Sequence, residues 1–186
     1  MENKLYSIIL LGGKSSRLNS SYKKIGHIHK SLLKINNQTI LESIIKNYVD
    51  YKINHFILAV GYKGKTIKDY FLTKKRIAGK KINLIINNKS EQINNENEIN
   101  IIVYQTKIND TKYERVKKII KKFNIDSFHL TYGDGYANIN IKNIMNLSKD
   151  KNTDAVITLA KIKSQYGHII KRKKSKNFSL IEKPFL

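Results

Sequence analysis

Apolar and polar positions follow two different periods along the chain, which indicates alternating strands and helices. Apolar runs such as Leu5–Leu11 and His55–Val60 have the length of buried strands, and elsewhere apolar residues recur every three or four positions, as on one face of a helix. This pattern predicts strands at residues 5–11, 55–60, 82–87, 100–105, 127–132, 154–161, 166–171 and 178–182. It predicts helices at residues 39–51, 64–74, 111–123 and 140–149.

The order of these elements predicts the fold class. Strands that alternate with helices favour an α/β fold with a mostly parallel sheet, helices on both faces and a ligand site at the carboxyl ends of the strands. Thr39 and Thr111 are each followed three residues later by a glutamate, Glu42 or Glu114, which is the capping-box signature of a helix start. The Asn- and Glu-rich stretch Asn87–Asn100 is expected to be a surface loop within a single domain over 1–186.

The first predicted strand runs into a loop whose composition is typical of phosphate binding. Residues 11–18 read Leu-Gly-Gly-Lys-Ser-Ser-Arg-Leu. Glycine lets backbone N–H groups approach phosphate oxygens, Ser15 and Ser16 offer hydroxyl donors, and Arg17 supplies a permanently charged planar group. The loop matches neither of the two common phosphate-binding motifs, and taken alone a glycine turn explains it equally well.

Further motifs follow in order along the chain. Gly133-Asp134-Gly135 comes directly after a predicted strand, and a carboxylate between glycines there offers the kind of oxygen ligand that Mg²⁺ prefers. A turn aspartate is its plain alternative. The other motifs are Lys30–Leu33, Gly61–Gly64 and Glu182–Pro184.

This ordered set resembles the sugar-phosphate nucleotidylyltransferases over essentially the whole chain. Within that superfamily the chain is most similar to glucose-1-phosphate cytidylyltransferases, because of Gly61–Gly64 with Ile67–Phe71 and because of the spacing from Arg115 to Thr131–Gly135. The resemblance implies a Rossmann-like fold of the nucleotide-diphospho-sugar transferase type. It also implies that a sugar-1-phosphate (glucose-1-phosphate) attacks the α-phosphorus of a nucleoside triphosphate (CTP), with Mg²⁺ as cofactor and pyrophosphate as the leaving group.

The resemblance assigns a role to each motif. Arg17 and Lys30 would neutralise phosphate charge and Asp134 would hold Mg²⁺, so these three are the implied catalytic residues and should line one cleft. The implied nucleotide-binding positions are Leu10, Leu11, Gly12, Gly13, Lys14, Ser15, Ser16, Arg17, Lys30, Arg115 and Thr131. The implied sugar-phosphate-binding positions are Tyr166, Gly167, Glu182 and Lys183.

Departures from the family pattern keep other functions open. Ser15 and Ser16 replace a Gly-Thr pair, as in the guanylyltransferases of the molybdenum-cofactor type, and Tyr113 and Glu114 stand where cytidylyltransferases have two glycines. The chain ends two residues after Glu182–Pro184, whereas the family continues with a sugar-binding segment and a second metal-binding aspartate. A truncated or degenerate nucleotide-binding relative and a guanylyltransferase therefore remain alternatives, and nucleotide binding is expected to survive better than turnover.

Composition and charge narrow the remaining choices. The 186 residues include no cysteine, and no apolar stretch approaches the ~20 residues of a membrane span, so a cytoplasmic protein without a membrane partner is expected. The formal charge is +22, but the lysines are spread over every segment without interleaved aromatic residues, so no nucleic-acid partner is expected. His27 and His29 have no third ligand nearby in sequence, which favours a structural role over a metal site. Self-association into a homo-oligomer is left open.

Overall fold

The computed structural model describes residues 4–13, 28–86, 97–150, 152–161, 168–171 and 178–181. The predicted site residues Lys14, Ser15, Ser16, Arg17, Tyr166, Gly167, Glu182 and Lys183 lie outside the described residues, as does His27. The chain divides into two compact units, Met1–Ile141 and Lys142–Leu186. A single domain over 1–186 stays a prediction.

The first unit contains the large sheet and most of the helices. Its strands are β1 (Tyr6–Leu11), β2 (Lys34–Ile35), β3 (Gln38–Thr39), β4 (His55–Val60), β5 (Arg76–Ile77), β6 (Lys80–Ile86), β7 (Glu98–Gln105) and β8 (Phe128–Tyr132). Its helices are α1 (Ile40–Val49), α2 (Gly64–Thr73) and α3 (Lys112–Phe123), with a 3₁₀ turn at Lys30–Leu32. Helix α4 (Ile141–Leu147) begins at the last residue of this unit.

The six-stranded sheet has the order β5-β6-β7-β4-β1-β8. Every neighbouring pair is parallel except β5 with β6 at one edge. Because β1 has parallel neighbours on both sides, the carboxyl ends of β4, β1 and β8 lie side by side. This places Gly61, Gly12 and Gly133, which follow those three strands, at one edge of the sheet.

Helices cover both faces of the sheet, as side-chain alternation along the strands requires. On one face Ile8, Ile57 and Ile102 form a buried cluster with Ile119 of α3. On the other face Phe56 packs edge-on against Tyr48 of α1, with ring centroids 6.2 Å apart. The predicted fold class, a mostly parallel sheet with helices on both faces, is confirmed.

Both predicted capping boxes are present and fix the starts of α1 and α3. The Thr39 hydroxyl accepts a hydrogen bond from Glu42 N (3.1 Å) while the Glu42 carboxylate accepts one from Thr39 N (2.8 Å). Thr111 and Glu114 exchange the same pair of bonds at 3.2 and 2.7 Å. Two orphan N–H groups at each helix start are thereby satisfied.

The observed secondary structure differs from the prediction mainly in short strands and in one segment that pairs with no described strand. No strand forms at residues 154–161 within the described stretch 152–161, where Ile157 is 78% and Leu159 89% exposed. The run has strand-forming residues but no ladder partner among the described strands, and an unpaired strand gains no interstrand hydrogen bonds. Strand β7 starts at Glu98, inside the predicted loop Asn87–Asn100. The short pieces β2, β3 and β5 and the 3₁₀ turn were not predicted.

The second unit contains one described strand pair. Strands β9 (His168–Lys171) and β10 (Phe178–Ile181) run antiparallel, with Phe178 opposite Lys171, at the positions where the last two strands were predicted. Across the described residues of both units, no helix is long and apolar enough to cross a membrane.

Candidate functional site

A cleft of about 770 Å³ opens at the carboxyl ends of β1 and β8. This volume lies within the range of small-ligand sites, roughly 300–1,000 Å³, and the carboxyl edge is where open α/β sheets bind ligands. Seven of the predicted catalytic and nucleotide-binding residues line it: Leu10, Leu11, Gly12, Gly13, Lys30, Arg115 and Asp134.

Lys30 and Asp134 form an ion pair within this cleft, although they are 104 positions apart in sequence. Lys30 is delivered by the 3₁₀ turn and Asp134 by the loop after β8. Their side chains are 28% and 37% exposed, so both can be reached by a ligand. A Cβ built on Gly13 would lie 3.6 Å from the Lys30 Nζ, which places this ammonium directly beside the backbone that follows β1.

Gly133 allows the loop that carries Asp134 to pack closely on β1. A Cβ at this position would lie 2.0 Å from Leu11 Cδ2, which is far inside contact distance. The backbone N–H of Gly133 donates to Leu10 O at 3.1 Å, which extends the β1–β8 pairing by one residue. The glycine before the aspartate thus serves close packing, while no atom of the described residues lies within 4 Å of a Cβ built on Gly135.

Arg115 is held by the protein itself. The residue is 5% exposed and donates hydrogen bonds from Nε to Asp110 O (3.0 Å), from Nη1 to Thr106 Oγ1 (2.7 Å), and from Nη2 to Lys107 O and Ile108 O (3.2 Å each). Four of its five N–H groups therefore bind the segment between β7 and α3. A nucleotide contact by Arg115 stays a prediction; the structure shows a guanidinium that fixes one wall of the cleft.

Two of the motif glycines make room for that guanidinium. A Cβ on Gly12 would lie 1.7 Å from Arg115 Nη1, and a Cβ on Gly61 would lie 2.6 Å from the same atom. Arg115 thus packs between the loops that follow β1 and β4. This is a structural reason for glycine at both positions, and it is separate from any contact with phosphate.

Thr131 is not among the residues that line the cleft. It pairs with Ile9 on β1, while its neighbour Tyr132 pairs with Leu10, and both Leu10 and Tyr132 line the cleft. Because side chains alternate along a strand, the two residues of β8 face opposite sides of the sheet. A nucleotide contact by Thr131 stays a prediction. Tyr132 could have been identified as a cleft residue only from the register of β8 on β1, which decides the side of the sheet that each residue faces.

Exposed aromatic and apolar side chains form a further wall of the cleft. Tyr113 is 70% exposed, Ile108 54% and Tyr132 50%, and the Lys112 ammonium lies 5.1 Å from the centre of the Tyr132 ring. We call Ile108, Tyr113 and Tyr132 the aromatic wall. Tyr113 is one of the two departures from the family pattern, and Tyr132 lies within the motif Thr131–Gly135, but neither tyrosine was predicted to bind a ligand, and Ile108 belongs to no motif.

The carboxylates of the cleft suit a metal ion that is held mainly by the phosphates of a bound nucleotide. Asp134 contributes one carboxylate, and the second cleft carboxylate, Asp110, already accepts from Lys107 N (2.9 Å) and pairs with Lys118 (2.6 Å). A hydrogen bond from Lys118 keeps the pKa of Asp110 below its ordinary value. No cluster of three or more His, Cys, Asp or Glu exists in the described part of the chain. Mg²⁺ that binds through one carboxylate, substrate phosphates and water fits this donor set.

Comparison with known sequences finds that the chain is similar to one group of enzymes. It is 31% identical over 164 residues to a probable glucose-1-phosphate cytidylyltransferase of Bacillus subtilis, covering 87% of this chain and 62% of that protein. The chain is similar in sequence to glucose-1-phosphate cytidylyltransferases. This confirms the resemblance predicted from the motifs. The glucose-1-phosphate cytidylyltransferase of Salmonella typhimurium is 28% identical over 163 residues, with the same shares covered. The chain thus spans 62% of the length of these relatives, and no family model matches it.

Solved structures agree on the fold. HddC from Yersinia pseudotuberculosis complexed with GMP-PN superimposes with a TM-score of 0.58 over 96% of this chain and 69% of that one, at 19% identity. A second HddC structure from the same organism gives a TM-score of 0.53 at 20% identity. At this identity the likeness establishes the Rossmann-like α/β fold alone.

Proposed function

We propose that the chain belongs to a sugar-1-phosphate nucleotidylyltransferase and carries its nucleotide-binding cleft. The reaction joins a sugar-1-phosphate to a nucleoside triphosphate and releases pyrophosphate. The observation that carries the proposal is the meeting of Gly13, Lys30 and Asp134 in one cleft at the carboxyl ends of β1 and β8. Similarity to the named cytidylyltransferases over 87% of the chain supports it.

The residue types suit a reaction whose nucleophile is already charged. A sugar-1-phosphate oxygen is anionic, so in-line attack on the α-phosphorus needs positioning and charge neutralisation and no strong general base. Lys30 donates to phosphate oxygens beside Gly13, where its ammonium lies. Asp134 would hold Mg²⁺, which would supply charge neutralisation on the phosphates. With a nucleotide bound, phosphate oxygens would be the partners of Lys30.

The remaining predicted residues would contact the triphosphate, the base and the sugar phosphate. Gly12 and Gly13 expose backbone to the triphosphate, and Lys14, Ser15, Ser16 and Arg17 would continue that phosphate site. The aromatic wall would cover the base, and Arg115 would hold the Ile108 part of that wall in place through its bond to the Ile108 carbonyl. The proposed sugar-phosphate contacts remain Tyr166, Gly167, Glu182 and Lys183.

We assign CTP and glucose-1-phosphate as substrates because the relatives similar in sequence carry those substrates in their names. The test measures binding of CTP, GTP, UTP and ATP to the 186-residue chain by calorimetry, followed by pyrophosphate release with Mg²⁺ and glucose-1-phosphate. Tightest binding and fastest release with CTP are expected. GTP is the informative competitor, since the HddC structure was solved with GMP-PN.

The outcomes separate the proposal from its alternatives. Preference for GTP would move the assignment to a guanylyltransferase. CTP binding without pyrophosphate release at any sugar-phosphate concentration would favour a truncated or degenerate nucleotide-binding relative. Absence of binding by all four nucleotides at millimolar concentration contradicts the proposal altogether.

A further inference from the structure

A buried histidine lies directly behind the lysine of the cleft. His29 is 1% exposed and precedes Lys30 in the chain. Its Nε2 lies 2.9 Å from Leu11 O, and its Nδ1 lies 2.8 Å from Ser31 Oγ and 3.3 Å from Ser31 N. The imidazole therefore joins the last residue of β1 to the turn that carries Lys30.

These partners define the protonation state of the ring. The Leu11 carbonyl can only accept, so Nε2 carries the proton; the Ser31 N–H can only donate, so Nδ1 is the unprotonated acceptor. A second proton on Nδ1 would remove the acceptor for the Ser31 N–H and would leave the Ser31 hydroxyl as the only partner of that nitrogen. The neutral ring is thus the form that donates to Leu11 O and also accepts from the Ser31 backbone.

The charges around His29 favour the same neutral form. Burial lowers the pKa of His29, and the nearby cations Lys30 and Lys63 lower it further. The Leu11 carbonyl and the Asp134 carboxylate act in the opposite direction without reversing the shift. The bond from Ser31 N–H to Nδ1 should therefore be intact at neutral pH and lost as the solution becomes acidic.

The link constrains Lys30 from both sides. His29 and Ser31 are both buried, at 1% and 0% exposure, while the side chain of Lys30 between them reaches the cleft. Leu32 N donates to His29 O at 2.8 Å, which closes the turn around the lysine. The backbone direction of Lys30 is thus set by the imidazole and its two partners.

We propose that His29 is a positioning residue of the cleft, which directs the Lys30 ammonium toward Asp134 and the nucleotide phosphates by joining Leu11 to Ser31. The part that concerns phosphates rests on the proposed function. The part that concerns Lys30 and Asp134 does not, and a measurement without turnover can test it.

Two substitutions separate the halves of the link. His29→Gln keeps a donor for Leu11 O and loses the acceptor for Ser31 N–H, whereas His29→Asn keeps that acceptor and loses the donor. Neither side chain titrates. Misplacement of a catalytic group by about 1 Å can cost on the order of 10²-fold in rate, so we expect kcat for pyrophosphate release to fall at least tenfold in both variants, with the KM for CTP changing less.

A pH profile distinguishes this role from a merely structural one. In the unsubstituted protein kcat/KM should decline on the acid side as His29 gains a proton, and this decline should be absent in both variants. His129→Gln is the matched control, because burial also lowers the pKa of His129 but its ring packs on Tyr48, away from the cleft lining. That control should keep the acid decline and the rate.

The turnover-free measurement uses lysines dimethylated with ¹³C-formaldehyde, with the Lys30 signal assigned by Lys30→Arg. Asp134→Asn should move the Lys30 signal, and the His29 variants should move it in the same direction. A shifted Lys30 signal without pyrophosphate release by any form would support the positioning role while removing the proposed function. An unmoved Lys30 signal in folded His29→Gln, or an acid decline that persists in it, would overturn the proposal.

Discussion

The ion pair of Lys30 and Asp134 should contribute little to stability, so its proposed role in the chemistry can be tested separately. Both side chains are about one-third exposed, and pairs of this kind contribute at most about 1 kcal/mol to folding because solvent screens them. Asp134 also lies in a loop beyond β8, where its side chain supports little packing. Removing the carboxylate should therefore change function without unfolding the protein.

Asp134→Asn tests this separation. We expect at least a 100-fold loss of Mg²⁺-dependent pyrophosphate release, because the amide retains the shape but cannot supply the anionic ligand. The midpoint of thermal unfolding should change by less than about 3 °C. Asp126→Asn, at an exposed aspartate outside the cleft lining, is the control and should leave both quantities unchanged. Undiminished turnover in Asp134→Asn would contradict the metal assignment.

Gly12 is the glycine at which an added side chain would clash most severely with its neighbours. A Cβ there would lie 2.3 Å from Arg115 Cζ, and the guanidinium cannot move without breaking hydrogen bonds to the segment before α3. We expect Gly12→Ala to lower the free energy of unfolding by about 1–3 kcal/mol, as overpacking does. Chemical denaturation provides the measurement.

The control for Gly12→Ala is Gly135→Ala, since in the part of the chain that the structure describes no atom lies within 4 Å of the added methyl group. Its effect should stay within about 0.5 kcal/mol. A double-mutant cycle with Arg115→Ala identifies the cause, because removal of the guanidinium leaves the new methyl group without its clash. Additive effects of Gly12→Ala and Arg115→Ala would show that the strain arises elsewhere.

At the scale of elements, the start of α1 depends on a buried carboxylate. Glu42 is 4% exposed, forms the capping box with Thr39 and pairs with Lys74. Burial by itself raises the pKa of Glu42, but hydrogen bonds from Lys74, Thr39 and Tyr70 outweigh it and leave the pKa below its ordinary 4.5. A carboxyl with a lowered folded pKa stabilises the fold above its unfolded value and loses that contribution as the pH falls.

Glu42→Gln isolates this contribution. The amide can keep the capping box but not the charge, so at pH 7 we expect a loss of about 1–2 kcal/mol in the free energy of unfolding. The difference between the two proteins should be constant above pH 4.5 and should vanish as the pH falls through the folded pKa. Glu114→Gln, in the exposed capping box of α3, is the comparison and should show a smaller difference. A gap between the Glu42 variant and the unsubstituted protein that persists at pH 2 would show that charge is not its origin.

Regular elements were predictable and local geometry was not. Apolar runs and capping signals located β1, β4, α1 and α3, because burial and caps are encoded within each segment. The run at 154–161 shows the limit of predicting strands from local sequence. A strand also needs a pairing partner, which its own sequence does not specify.

The site shows the same division at the residue level. Lys30 and Asp134 could be predicted as neighbours because parallel strands bring their carboxyl ends together. The contacts of His29 and Arg115 could not be predicted. His29 bonds to the carbonyl of Leu11, which is 18 positions away in sequence, and Arg115 bonds to the carbonyls of Lys107 and Ile108, which lie in an irregular segment.

At the scale of the whole molecule, the formal charge of +22 raises the question of nucleic-acid binding. Exposed lysines occur on separate described elements, including Lys46 on α1, Lys65 on α2 and Lys81 on β6. Charge of this kind attracts any polyanion weakly and without sequence preference, with Kd on the order of 10⁻⁴–10⁻⁶ M at physiological salt. We therefore expect binding to duplex DNA to be weak and strongly salt-dependent.

Two matched triple substitutions to glutamine test whether any face is specialised for DNA. One removes Lys117, Lys121 and Lys122 from the exposed side of α3, and the other removes Lys46, Lys65 and Lys81 from three different elements. If the positive charge is spread, both variants should weaken duplex binding equally in fluorescence titrations at several salt concentrations, because each removes the same number of counterion-releasing contacts. CTP binding should change little in either variant, since none of the six lysines lines the cleft. Submicromolar, length-dependent binding at 150 mM salt that only the α3 variant loses would overturn this expectation and identify α3 as a nucleic-acid surface.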